Sequence, residues 1–110
     1  MTYVDDLSAI TFDAEGEDGD LVRRTLATRT WTDGGWATVM ILFDERAKDR
    51  KTWRQPKLAL IRLRRAGEGW KKQSSVTLPA VHASMLREEL ERHADKLAVP
   101  YAQGREPDDP

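Results

Sequence analysis

Two turns that contain glycine divide the middle of the chain and strongly constrain its fold. Residues 32–35 read Thr-Asp-Gly-Gly and residues 66–69 read Ala-Gly-Glu-Gly. Glycine supplies the positive φ angles that tight hairpin turns require. Because such turns connect neighbouring antiparallel strands, they predict a meander of hairpins through the middle of the chain.

The segments around these turns predict four strands, at residues 21–31, 36–44, 57–65 and 70–78. The run Val39–Phe43 is apolar on both faces, which indicates a central strand. A helix is predicted for residues 79–97, because Pro79 suits a first helical turn and apolar residues recur on one stripe until Pro100. We therefore predict an α+β fold, with a four-stranded antiparallel meander followed by one C-terminal helix (β-β-β-β-α).

A length of 110 residues indicates one domain. Residues 1–20 are predicted to form an acidic N-terminal arm, which is either disordered or adds a short edge strand near residues 10–12. Residues 21–99 form the single domain in this interpretation. Residues 100–110 are predicted to be a disordered C-terminal tail, since they are polar and contain three prolines.

The sequence gives no signature of an enzyme, and we predict no catalytic residues, no cofactor and no metal site. The chain has no cysteine, which excludes disulfides and thiolate chemistry. His82 and His93 lie in no metal-ligand motif, and no serine lies in a nucleophile motif. No secretory signal or long apolar run is found, so we expect a cytoplasmic protein.

Charge is strongly segregated along the chain. Residues 1–20 contain seven acids and no Lys or Arg, whereas residues 21–72 contain fourteen Lys or Arg against five acids, together with all four tryptophans. Cations attract phosphates, and flat rings stack on unpaired bases, so this segment is typical of a single-stranded nucleic-acid surface. The candidate contact residues are Arg29, Trp31, Arg50, Lys51, Trp53, Arg62, Arg64, Trp70, Lys71 and Lys72.

Strand alternation predicts that Arg62 and Arg64 share one face of the third strand. Arg29 and Trp31 of the first strand, and Trp70 and Lys72 of the fourth, are expected to join them on the sheet face that the helix leaves open. The long cationic connection at residues 45–56 is either a second clamp or a flexible, solvated loop. The ordinary alternative is that the cations protect strand edges and the tryptophans are structural.

Several short patches resemble the transcriptional positive cofactor 4 family of single-stranded-DNA-binding proteins. They are Gly35-Trp36, Ile61-Arg62, Gly67-Glu68, Lys71-Lys72 and residues 75–78 (Ser-Val-Thr-Leu). The sequence departs from the family where Gln73-Ser74 replace a glycine. The resemblance implies a homodimer that holds single-stranded DNA across its sheets, with Arg62, Lys71 and Lys72 as contacts.

The sequence therefore predicts a non-enzymatic, homodimeric binder of single-stranded DNA or RNA, with DNA favoured, that acts in transcription or DNA maintenance. A second hypothesis is a protein–protein interaction module that binds no nucleic acid, in which Trp and Arg form the anchor patch. A further hypothesis is that the acidic arm folds onto the basic surface and competes with nucleic acid.

Overall fold

The fold is a curled antiparallel sheet of six strands with a helix after the last strand. The computed structural model describes residues 3–49 and 51–98. The strands are β1 (Tyr3–Val4), β2 (Ala14–Glu15), β3 (Leu21–Asp33), β4 (Trp36–Glu45), β5 (Lys57–Ala66) and β6 (Gly69–Pro79), followed by helices α1 (Ala80–Arg92) and α2 (Ala94–Leu97). The order across the sheet is β1-β6-β5-β4-β3-β2.

The predicted four-stranded meander is wrong in strand number, because two short strands near the start of the chain extend the sheet at both edges. The broad α+β class agrees with the structure. The four long strands lie where they were predicted, and the turns between them place Gly34 and Gly67 at φ 58° and 62°. The predicted tail, residues 100–110, lies outside the described residues.

Residues 3–15, which we call the arm, cross the sheet from one edge to the other. Strand β1 pairs with β6, where Tyr3 lies opposite Lys71, and β2 pairs with β3, where Ala14 lies opposite Arg23. Between these strands the apolar side chains of the arm pack against the core; they are Val4, Leu7, Ile10 and Phe12. The arm is therefore part of the domain, because β4 is apolar on both faces and needs cover on both sides.

The two faces of the sheet differ in what covers them. The arm face holds the core, in which Val39, Ile41, Ile61 and Leu63 are at most 5% exposed. The helix face is formed by the alternate positions of the same strands, which are Trp36, Thr38, Met40 and Leu42 with their partners Leu58, Leu60, Arg62 and Arg64.

Helix α1 adjoins the helix face at Leu58, where a shallow cavity is lined by Ala83, Leu86 and Leu90. The contact residues were predicted on the sheet face that the helix leaves open, whereas the structure places Arg62 and Arg64 on the same face as the helix and the arm on the other face. The helix has no buried residue, and its apolar stripe is largely open, with Val81 62% and Met85 56% exposed. One end of the helix face therefore carries an uncovered apolar surface.

Two β-bulges between the long strands change which residues lie on each face, because an extra residue reverses the alternation beyond it. In β3 the register shifts between Thr25 and Ala27. In β6 it shifts beside Gln73, since Arg62 pairs with Ser74 while Leu63 pairs with Lys72. The alternation predicted without bulges is therefore wrong over part of both strands.

Candidate nucleic-acid interface

Six cationic and aromatic residues lie together at one end of the helix face. They come from the four long strands, and the pairs Trp36–Arg64, Trp31–Thr38 and Arg64–Lys71 place them side by side. We call this group the tryptophan–arginine cluster; its members are Arg29, Trp31, Trp36, Arg62, Arg64 and Lys71.

Trp36 lies between two arginines at the centre of the cluster. The guanidinium carbons of Arg62 and Arg64 lie 4.8 Å and 5.1 Å from the centre of its ring. Both distances are within the range of cation–π attraction. The ring is partly buried, so Trp36 positions the two cations and leaves less of its own surface for a ligand.

The side chain of Arg62 is held more firmly than that of Arg64. Its Nη1 donates a hydrogen bond of 2.7 Å to Oγ1 of Thr38 on the neighbouring strand. Its Nε is shielded from solvent and has no hydrogen-bond partner among residues 3–49 and 51–98. Arg62 therefore offers a fixed positive charge, while Arg64 and Lys71 are exposed.

The outer part of the cluster is open to solvent. Trp31 is 47% exposed, and the guanidinium carbon of Arg29 lies 5.8 Å from the centre of its ring. Within the described part of the chain, no carboxylate forms an ion pair with Arg29, Arg62, Arg64 or Lys71. These cations are available to an external anion, and Trp31 offers a ring face beside them.

The structure removes two of the predicted contact residues from this surface. Trp70 is 7% exposed and belongs to the core, so its ring is not available for stacking. Lys72 lies on the arm face, where it lines a cleft with Ile10 and Phe12. The bulge beside Gln73 causes both changes, and it places Lys71 on the helix face.

Trp53 lies in a second cluster at the opposite end of the sheet. The guanidinium carbons of Arg24 and Arg46 lie 4.0 Å and 5.0 Å from the centre of its ring. Trp36 marks one end of β4, and Asp44, beside the second cluster, marks the other. With a strand rise of about 3.4 Å per residue, these two residues are about 27 Å apart. Trp53 therefore does not join the tryptophan–arginine cluster.

The connection between β4 and β5 is structured, which argues against the alternative of a flexible loop. Arg46 forms a β-bridge with Trp53, and the amide of Ala47 donates to the carbonyl of Thr52 at 2.9 Å. At the tip, hydrogen bonds from the Lys51 and Thr52 amides lower the pKa of Asp49 below its ordinary value.

Two of the predicted contact residues, Arg50 and Lys51, belong to this connection. The side chain of Lys51 is exposed, far from the tryptophan–arginine cluster. Arg50 lies outside the described residues. The connection therefore holds Trp53 in place but does not extend the cluster.

The arm, which belongs to the acidic segment 1–20, packs on the face opposite Arg62 and Arg64. This position does not fit the hypothesis that the acidic segment competes with nucleic acid. Phe12 is tied to β3 by two hydrogen bonds, in which its amide donates to Thr25 Oγ1 at 2.8 Å and its carbonyl accepts from Arg23 Nε at 2.7 Å. The edge-on contact of Phe12 with Phe43, at 4.9 Å between ring centres, fixes it on the core. The arm is a structural cover of the arm face.

Sequence reasoning missed the role of Trp36, which was not among the candidate contact residues. The signal was present in the hairpin register, because a two-residue turn at Gly34-Gly35 pairs Asp33 with Trp36 and sets the phase of β4. That phase places Trp36 with Thr38 and Met40, opposite Ala37, Val39 and Ile41.

The described residues give no sign of a metal centre or a membrane span. Residues 3–49 and 51–98 contain no group of three or more His, Cys, Asp or Glu that could hold a metal ion. In the same part of the chain no helix is long and apolar enough to cross a membrane.

Comparison with known proteins gives no relative: the chain matches no protein-family model, no curated protein and no solved structure. The resemblance to the positive cofactor 4 family therefore stays a prediction.

Proposed function

We propose that this chain is a non-enzymatic binder of single-stranded nucleic acid, with single-stranded DNA as the favoured ligand and a role in transcription or DNA maintenance. The contact surface is the tryptophan–arginine cluster. Phosphates are neutralised by Arg29, Arg62, Arg64 and Lys71, and a base stacks on Trp31.

One observation carries the proposal: an exposed tryptophan lies on the same face as four cations that have no ion-pair partner among the described residues. From Lys71 on β6 to Trp31 on β3 the cluster crosses three strand spacings, or about 14 Å. A surface of this width contacts only a few nucleotides. Binding then depends on charge and stacking, so sequence preference is expected to be weak.

Neighbouring lysines provide a matched test. Lys71 and Lys72 are both exposed and adjacent in sequence, so strand alternation places them on opposite faces, and the β6 bulge sets Lys71 on the helix face. Binding of a fluorescent oligothymidylate is measured by anisotropy over a range of salt concentrations for Lys71→Met and Lys72→Met. Lys71→Met should weaken binding and lower the salt slope by about 0.7, the value for one phosphate contact with a single strand.

Lys72→Met should leave both the affinity and the salt slope close to those of the unmodified protein. Equal losses in the two variants would show attraction by net charge alone and would overturn the proposed surface. An oligouridylate measured in parallel decides between DNA and RNA.

A protein-interaction module is the alternative, and the open apolar stripe of α1 favours it. Exposed apolar patches rimmed by polar residues mark protein contacts. Val81, Met85 and Leu90 are 62%, 56% and 48% exposed. If no oligonucleotide binds even at low salt, the protein-interaction function replaces the nucleic-acid one. A homodimer remains part of the proposal under either function.

A further inference from the structure

Strand β6 presents an open edge over most of its length. Its only outer neighbour in the described part of the chain is β1, which pairs with Trp70 and Lys71 alone. Residues 71–77 are all exposed. An unpaired strand edge offers a row of N–H and C=O groups to another extended chain, and such edges are usually shortened, charged or covered.

The hydrogen bonds of β5 show which groups of the edge are free. The amide of Arg65 donates to the carbonyl of Gly35 at 2.8 Å, so Arg65 directs its backbone groups toward β4. Backbone direction alternates along a strand in an antiparallel sheet. Leu60 and Arg62 therefore direct their N–H and C=O groups toward β6.

Arg62 pairs with Ser74, and Leu60 pairs with Val76. Ser74 and Val76 therefore form their backbone hydrogen bonds with β5. Ser75 and Thr77 occupy the alternate positions of β6, so their N–H and C=O groups point away from the sheet. Pro79 follows at the next outward position, where its missing N–H breaks no bond of the sheet.

We propose that β6 pairs with β6 of a second copy of this chain, antiparallel and centred on Val76. In this register Ser75 lies opposite Thr77 of the second copy, and Thr77 lies opposite Ser75 of the second copy. Each of these two pairs exchanges two backbone hydrogen bonds. The two Val76 side chains then meet at the two-fold axis, where the strands approach each other most closely.

The chemistry of the edge favours a second copy. The segment 73–81 contains no charged residue, so two copies pair without placing like charges opposite each other. Val76 is 47% exposed and becomes buried against its own equivalent. A self-complementary patch of this kind forms a closed two-fold dimer.

This pairing does not depend on nucleic-acid binding, but it adds to that proposal. Two six-stranded sheets joined at this edge form one continuous sheet, and the register keeps the helix faces of both copies on the same side. The two tryptophan–arginine clusters then face the same direction, so a longer single strand contacts both.

The test measures mass in solution without nucleic acid, by analytical ultracentrifugation of the full chain. We expect twice the 12.6 kDa of one chain. Ser75→Pro removes one outward N–H and keeps the ladder to β5, and Val76→Lys places two like charges at the axis. Both variants should halve the mass while circular dichroism shows a folded sheet. Val81→Lys, which changes the helix and not the edge, should retain the dimer.

Amide hydrogen exchange of the unmodified protein tests the same pairing independently and needs no variant. In the proposed dimer the amides of Ser75 and Thr77 exchange as slowly as that of Val76, whereas at a free edge they exchange much faster. A single-chain mass with fast exchange at these two amides would overturn the proposal. A dimer that Val81→Lys dissociates and Val76→Lys does not would assign the contact to the helix and also overturn it.

Discussion

The carboxylate of Asp44 accepts two hydrogen bonds from the guanidinium of Arg24, with Nε 2.9 Å from Oδ1 and Nη2 3.1 Å from Oδ2. Asp44 is only 4% exposed, whereas the Arg24 side chain is 41% exposed and stacks on Trp53. This pair joins the end of β4 to β3 and to the connection that follows. Its two short hydrogen bonds make it a bidentate ion pair.

Removal of Arg24 should therefore destabilise the fold. In Arg24→Gln the buried carboxylate of Asp44 loses its charged partner, and we expect the free energy of unfolding to fall by about 1–3 kcal/mol. Urea denaturation measures the change. The matched control is Lys57→Gln, which breaks an ion pair with Glu45 whose side chains are 39% and 35% exposed, so its cost should stay below about 1 kcal/mol. Equal costs would show that burial of Asp44 does not matter.

The arm should contribute stability through Phe12. Its ring is half-buried against Phe43, so Phe12→Ala should lower the free energy of unfolding by about 2–3 kcal/mol, somewhat less than for a fully buried ring. Thermal denaturation followed by circular dichroism measures the loss. Glu17→Ala, at an exposed turn position, should leave the melting temperature unchanged. An unchanged melting temperature for Phe12→Ala would mean that the arm does not cover the core in solution.

The ion pair of Glu45 and Lys57 should make stability depend on pH. The hydrogen bond from Lys57 Nζ, at 2.8 Å, is the main cause that lowers the pKa of Glu45 below its ordinary value of 4.5. The folded state then binds fewer protons than the unfolded state. The contribution is fully present above about pH 4.5 and is lost as pH falls through the lower folded pKa.

The size of this effect should be small, because both side chains are partly exposed to solvent. Urea denaturation at several pH values between 6 and 3 measures it in the unmodified protein and in Glu45→Gln. The variant should show the shallower loss of stability below pH 4.5. Parallel curves would show that the pair does not form in solution.

Trp31 and Trp36 should differ in their response to truncation. Trp31 is 47% exposed, so Trp31→Ala should leave the melting temperature nearly unchanged and weaken oligonucleotide binding by about 1–3 kcal/mol, the value of one stacked base. Trp36→Ala removes the ring between Arg62 and Arg64, so it should lower stability as well. Anisotropy and thermal denaturation of both variants give the comparison. Unchanged binding in Trp31→Ala would remove stacking from the proposal.

Much of the central sheet was predictable because glycine turns and apolar runs are local signals. The run Val39–Phe43 identified the central strand, and Gly34 and Gly67 identified the turns beside it. The same run contained a further signal, since a strand that is apolar on both faces requires cover on both sides. The apolar residues of the arm supply that cover, although acidic residues between them gave the appearance of a disordered segment.

The composition of the candidate site was less predictable, because a bulge leaves little trace in a polar strand. In β6 the residues around Gln73 are all polar, so no apolar residue reveals where the alternation reverses. A single extra residue there exchanges the faces of Lys71 and Lys72 and buries Trp70. In β3 the adjacent Leu26 and Ala27 were a visible break in alternation that marked the first bulge.

The pairing of β1 with β6 also fixes an order of events during synthesis. The hydroxyl of Tyr3 donates to the carbonyl of Ala66, 63 positions along the chain, and Tyr3 lies opposite Lys71. Strand β1 therefore has no partner until the ribosome has released β6. Until that moment the cover of the core on the arm face is incomplete, and the nascent chain depends on late docking of β1 to leave an aggregation-prone state.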